Sequence, residues 1–144
     1  MSADREPDDE PTPRRFEPPV SEAGEPFWAA TRQRRLELPW CPACERPHWF
    51  PRDVCPHCLG ADLDWREASG RGVVYAWSTM PKAAMPGLAA RVPYVVALVE
   101  LAEGVRMMTN VVGVDPSDVF VEMPVVADWE PLTDGRHLVV FRPA

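Results

Sequence analysis

At 144 residues the chain suits one globular unit or two small ones, and a hydrophobic content of 46% is enough for a packed core. Eighteen prolines exclude long uninterrupted helices, and no run of about 18 apolar residues is present to cross a bilayer as a helix. The net charge of −7 sits mostly at the front: residues 1–25 hold eight carboxylates against three arginines, and the rest holds 14 acids and 12 bases, too balanced for a general binder of nucleic-acid phosphates.

Residues 1–20 read as a disordered, acidic, proline-rich tail, with Phe16 and Val20 its only sizeable apolar side chains after Met1. It has no apolar signal region, so a cytoplasmic location with reduced thiols is expected. Residues 25–38 read as a short helix. Pro26 suits its first turn, Phe27, Trp28 and Thr31 share one face, and Arg32, Gln33, Arg34 and Arg35 cover the rest.

The only four cysteines follow, as Cys41-Pro42-Ala43-Cys44 and Cys55-Pro56-His57-Cys58. A two-residue spacing lets a tight turn aim both thiolates at one ion, and ten intervening residues allow a hairpin to complete a tetrahedral site. The expected metal is one structural zinc. So small a ribbon cannot bury enough apolar area alone, so metal binding would supply folding free energy on the order of 10 kcal/mol. Iron in a rubredoxin-like role is disfavoured, because Glu45 and Leu59 stand where such knuckles normally place glycine. Trp40, Trp49 and Phe50 read as packing around the site. His57 reads as a solvent-facing spacer, and His48 likewise.

From residue 63 the pattern turns to β. Strands are predicted near 72–80, 93–101, 105–112, 123–129 and 137–142, with turns at Glu103-Gly104 and Asp134-Gly135 and a short helical turn capped by Asp115. Five strands with a capped turn between the third and fourth predict a mainly β protein: an N-terminal helix and rubredoxin-like zinc ribbon (21–62), then a five-stranded OB-fold barrel (63–144). The long connection 81–92 joins the first two barrel strands, where such barrels often place a binding loop.

Several motifs together resemble the family catalogued as domain of unknown function 35. They are Phe27-Trp28, the two cysteine pairs with Phe50-Pro51-Arg52 between them, and Trp65 followed by Gly70-x-Gly72. Further on come Pro93-Tyr94-Val95-Val96-Ala97-x-Val99, Glu103-Gly104 and Met123-Pro124-Val125. The resemblance covers about residues 25–143. It implies a rubredoxin-like zinc ribbon joined to an OB fold, in proteins associated with thiolases, thiolase-like aldolases, acyl-CoA hydratases and hydroxymethylglutaryl-CoA synthase. Such proteins act as non-catalytic subunits or appended domains. Some help hold the CoA arm, and one kind supports a thiolase-like aldolase of sterol side-chain degradation. One departure stands out: the family usually has glycine where this chain has Glu122.

Thiolase-type chemistry needs a nucleophilic cysteine with histidine support. Here every cysteine is committed to metal, His48, His57 and His137 are scattered, and a closed four-cysteine shell leaves no position for an activated water. No residue is assigned a catalytic role. The expected function is a non-catalytic accessory subunit of a thiolase-like acyl-CoA enzyme, two copies on an enzyme dimer, with no nucleic-acid or membrane partner. Trp49, Phe50 and Arg52 of the ribbon and Met85 and Leu88 of the 81–92 loop are expected to meet the enzyme. Lys82 and Arg91, which flank that loop, would meet CoA phosphates. The alternative is a nucleic-acid-binding zinc-ribbon and OB module, which would need a basic groove interleaved with exposed aromatics.

Overall fold

Pro26 opens the first element, as its missing N–H permits. In the computed structural model, which describes residues 15–144, helix α1 spans Glu25–Thr31 and buries Phe27, Ala30 and Thr31. It is shorter than the predicted 25–38. Arg34 takes a φ of +55°, with its N–H bonded to Thr31 O at 3.0 Å and the Arg35 N–H to Ala30 O at 3.1 Å. This left-handed closure satisfies the last carbonyls and ends the helix. Leu36 and Leu38, both buried, then alternate as a strand.

Most of the expected tail, residues 1–14, lies outside the described residues. Residues 15–20 form no helix or strand but are tied to the barrel. Arg15 bonds Glu130 at 3.0 Å and the Asn110 side-chain oxygen at 3.2 Å. The Glu17 carboxylate accepts from the Thr133 N–H and hydroxyl, and Arg136 donates to Pro18 O at 2.8 Å.

Three strands make the ribbon sheet: β1 (Glu37–Cys41), β2 (Arg46–Pro47) and β3 (Asp64–Glu67), in the order β2-β1-β3. Residues 63–68 were expected to lead the barrel, but Asp64–Glu67 pairs antiparallel with Glu37–Trp40 of β1. The central, mostly buried β1 has backbone groups on two edges, and β3 satisfies the second.

The five predicted barrel strands are observed as β4 (Arg71–Met80), β5 (Tyr94–Leu101), β6 (Arg106–Val111), β7 (Pro124–Pro131) and β8 (His137–Pro143). They close in the order β4-β5-β6-β8-β7, the OB-fold arrangement. β5 alternates strictly, with Val95, Ala97, Val99 and Leu101 inward. β4 pairs with both β5 and β7, bulging between Val74 and Ala76. Gly72 lies at that crowded corner: a Cβ there would stand 2.5 Å from the Glu100 carbonyl oxygen. Asp115 accepts from the Ser117 N–H at 2.9 Å and caps the turn Pro116–Asp118 as expected. Asp134-Gly135 forms the β7–β8 turn.

The weakest seam of the barrel is between β6 and β8, which share only the parallel pair Val111↔Phe141. The Thr109 hydroxyl reaches across the seam to Val139 O at 2.8 Å. Phe27, Leu36 and Leu38 from the front of the chain belong to the same buried cluster as Val74, Val99 and Phe141 of the barrel. Helix and barrel are also stitched by polar bonds. Arg32 donates to Asp134 O, and the His137 N–H donates to the Thr31 hydroxyl at 3.3 Å.

Candidate metal centre and interaction surface

Cys41 ends β1, Cys44 follows in the first knuckle, and Cys55 and Cys58 form the second. One sulfur from each lies within 4.8 Å of the others. The separations Cys41–Cys58 and Cys44–Cys55 are 3.7 and 3.9 Å. A tetrahedral zinc with bonds of about 2.3 Å spaces its sulfurs by about 3.8 Å, so the cage fits that ion. The same separations are nearly twice a disulfide bond of about 2.05 Å. Each knuckle needs a left-handed residue just after its second cysteine, and Glu45 and Leu59 supply it at φ +52° and +62°. The glycine that usually eases this turn is replaced by strained but exposed side chains.

The backbone prepares the site for negative sulfur. The His57 N–H points at Cys55 Sγ from 3.4 Å. Burial raises the Cys55 thiol, but the N–H groups of Cys58 and His57 outweigh it and hold it at about 7. Hydrogen bonding to Cys58, followed by burial, pushes the Cys44 thiol up to about 12. Four crowded sulfurs cannot all ionise unaided, and a dication supplies the missing charge. With all four bound the shell is closed, and its role is structural.

His57 is exposed, as expected. His48 is not: it is 3% exposed, and neither ring nitrogen has a hydrogen-bond partner. Burial lowers its pKa, which favours the neutral ring. The His48 N–H bonds Pro39 O at 3.1 Å, which fixes its backbone against β1.

The residues expected to meet a partner divide. Trp49 is half-buried and packs edge-on against Phe27, with centroids 5.0 Å apart, so most of it holds the ribbon to the helix. Phe50 is 65% exposed, and Arg52 is exposed. Met85 is exposed and Leu88 half-buried, on the loop that contains the short helix Pro86–Arg91. Leu88 and Arg91 line a cleft of about 580 Å³ beside the β6–β8 seam, together with Tyr94, Val96, Met108 and Leu138. Lys82 is exposed and does not line it. Arg91 is held by Glu130 at 2.6 Å, and that bond raises its pKa.

Sequence reasoning missed Glu130, which clamps Arg15 and Arg91 together, and Met108. The second had a legible signal: Met107 and Met108 are adjacent on a strand, and alternation forces one of them outward. Met107 is buried and Met108 is 71% exposed.

Models of a ChsH2 rubredoxin-like zinc ribbon domain and a ChsH2 C-terminal OB-fold domain match residues 28–64 and 65–130. A DUF35 domain-containing scaffold protein of Methanocaldococcus jannaschii is 33% identical over 69% of this chain and 72% of its own length. This chain belongs to the DUF35 family. It is 44% identical over 119 residues to a probable enoyl-CoA hydratase alpha subunit of Thermomonospora curvata, over 82% of this chain and 37% of that subunit. The chain therefore spans little more than a third of that relative. Among solved structures it is similar to a chain titled Ltp2-ChsH2(DUF35) aldolase, at 40% identity and a TM-score of 0.80, over 88% of this chain and 98% of the other. No helix among the described residues is long and apolar enough to cross a membrane.

Proposed function

We propose that this DUF35 chain is a non-catalytic accessory subunit of a thiolase-like acyl-CoA enzyme, with two copies on an enzyme dimer. The observation that carries the reading is the near full-length likeness to the DUF35 chain of an aldolase complex, at 40% identity. The site chemistry supports it. The cysteines form one closed cage, and it is the one cluster of three or more His, Cys, Asp or Glu side chains among the described residues placed to hold a metal. The zinc, when bound, fixes the two knuckles, and this chain's own work is to present the ribbon hairpin and the 81–92 loop to the enzyme. Lys82 and Arg91 on that loop are the candidates to meet the phosphates of a CoA arm, Arg91 only in exchange for its bond to Glu130. The hydratase relative extends far beyond the segment matched here, so hydration is not assigned to this chain.

The nucleic-acid alternative finds less support. Arginines do face the outer barrel surface, but Arg106 is held by Glu100 at 2.9 Å, and Arg15 and Arg91 by Glu130. Over residues 26–144 acids outnumber bases 14 to 12, so there is no net positive charge for phosphate neutralisation.

The test is reconstitution with an Ltp2-type aldolase. The complex should co-elute as two copies of each chain and cleave a β-hydroxyacyl-CoA, a sterol side-chain thioester being the first to assay. The isolated chain should turn over none. Turnover by the isolated chain, or failure of any complex to form, would defeat the proposal.

A further inference from the structure

Two hollows lie on the outer surface of the barrel. One is the cleft at the β6–β8 seam. The other lies where the ribbon hairpin meets β5 and β6, lined by Trp49, Phe50, Arg52, Leu98, Arg106 and Met108 among others. Met108 lines both. It points outward from β6 opposite Leu98 of β5, in the middle of the sheet face. The ribbon and the 81–92 loop, far apart in sequence, are thus joined by one apolar strip running from Phe50 over Leu98 and Met108 to Leu88.

The charged residues lining these hollows are arginines without exception: Arg15, Arg91, Arg52 and Arg106. In a chain of net charge −7, the lining of both hollows holds no acidic side chain. Three of the four already pair with a carboxylate, as described above. Arg52 has no carboxylate partner among the described residues, and it stands beside the most exposed part of the strip. One unpaired guanidinium at the rim of an apolar hollow suits a single carboxylate. It is poorly matched to a polyphosphate, which would need several free cations.

We infer that the Phe50–Leu98–Met108 strip is the central anchor of the subunit interface, and that its occupant is a protein surface offering an apolar side chain to Met108 and a carboxylate to Arg52. This rests on the accessory-subunit reading and specifies where that reading acts. A large, exposed, unbranched thioether at the centre adapts to an apolar partner, and central apolar positions carry most of the energy of such contacts. The arginine at the rim supplies register and a faster encounter.

The experiment uses the full chain and an Ltp2 aldolase subunit as probe, with zinc content and circular dichroism as folding controls. Met108→Asp should weaken the complex at least ~30-fold, as expected for loss of an interface hot spot. Met108→Leu should retain it, and Val121→Asp, on an exposed residue outside both hollows, should have no effect. Arg52→Glu should weaken binding and flatten its dependence on salt. Wild-type protein that forms no complex would overturn the accessory-subunit reading itself, and this surface with it. A complex that forms and tolerates Met108→Asp would overturn the surface alone. CoA binding by the isolated chain that Met108→Asp abolishes, with the protein complex untouched, would also overturn it, in favour of a small anionic ligand.

Discussion

At the scale of single residues, the informative positions are those where an ordinary side chain occupies glycine's conformation. Glu122 takes φ +68°, and its N–H bonds Val74 O at 2.7 Å at the entry to β7. The family resemblance leads one to expect glycine here, and the backbone of this chain supplies a reason, because the turn is left-handed. The Glu122 side chain is exposed and makes no hydrogen bond among the described residues that would offset the strain. Glu122→Gly should therefore raise stability by up to about 1 kcal/mol, since relief of the left-handed conformation exceeds the added freedom of the unfolded chain. Urea unfolding would show it, and an unchanged or lower midpoint would mean that Glu122 has an attraction the structure does not reveal. The departure was legible in the sequence; its cost was not, because φ is fixed by the hydrogen bonds to β4.

Among elements, the 81–92 loop depends on a carboxylate far away in the chain. Burial raises the Glu130 pKa, but the Arg91 hydrogen bond and the charges of Arg15 and Arg91 outweigh it, so its net shift is downward from 4.5. A carboxylate with a depressed folded pKa adds stability above its unfolded value, and that contribution is lost as pH falls through the folded one. The loop and residues 15–18 should accordingly loosen below about pH 4.5, before the barrel unfolds, and Glu130→Gln should reproduce the effect at pH 7. A partly exposed cluster of this kind is worth about 1 kcal/mol. Hydrogen exchange of residues 85–92 at pH 7 and pH 3.5 would measure it, and equal protection at both would refute the clamp. Loop length and composition were readable in advance. The clamp was not, because Arg15, Arg91 and Glu130 meet only when β7 curls round the barrel.

For the whole molecule, the shared core decides how metal and fold are coupled. Cys41 continues directly from Leu38 and Pro39 along β1, and Leu38 packs in the cluster that contains Val74 and Phe141. Losing the ion should not leave an intact barrel beside a melted ribbon. Cys55→Ser should empty the site, expose Trp49 and lower the unfolding midpoint of the barrel as well, through loss of Phe27, Leu36 and Leu38 from the common core. Zinc analysis combined with calorimetry checks this, and a barrel transition unmoved by complete zinc loss would show two independent units.

The metal cage, the five strands, the capped turn and the hairpin at Asp134-Gly135 were all determined by the sequence alone, because each rests on local spacing: two residues between thiols, alternation of period two, a side-chain oxygen two residues before an N–H. Only the tertiary structure could pair Asp64–Glu67 with the ribbon, bury His48 and tie residues 15–18 to the barrel. It alone set Met108 between Phe50 and Leu88. These outcomes depend on partners some 10 to over 100 residues away, and a chain's local preferences carry no information about which distant backbone groups will be left to satisfy.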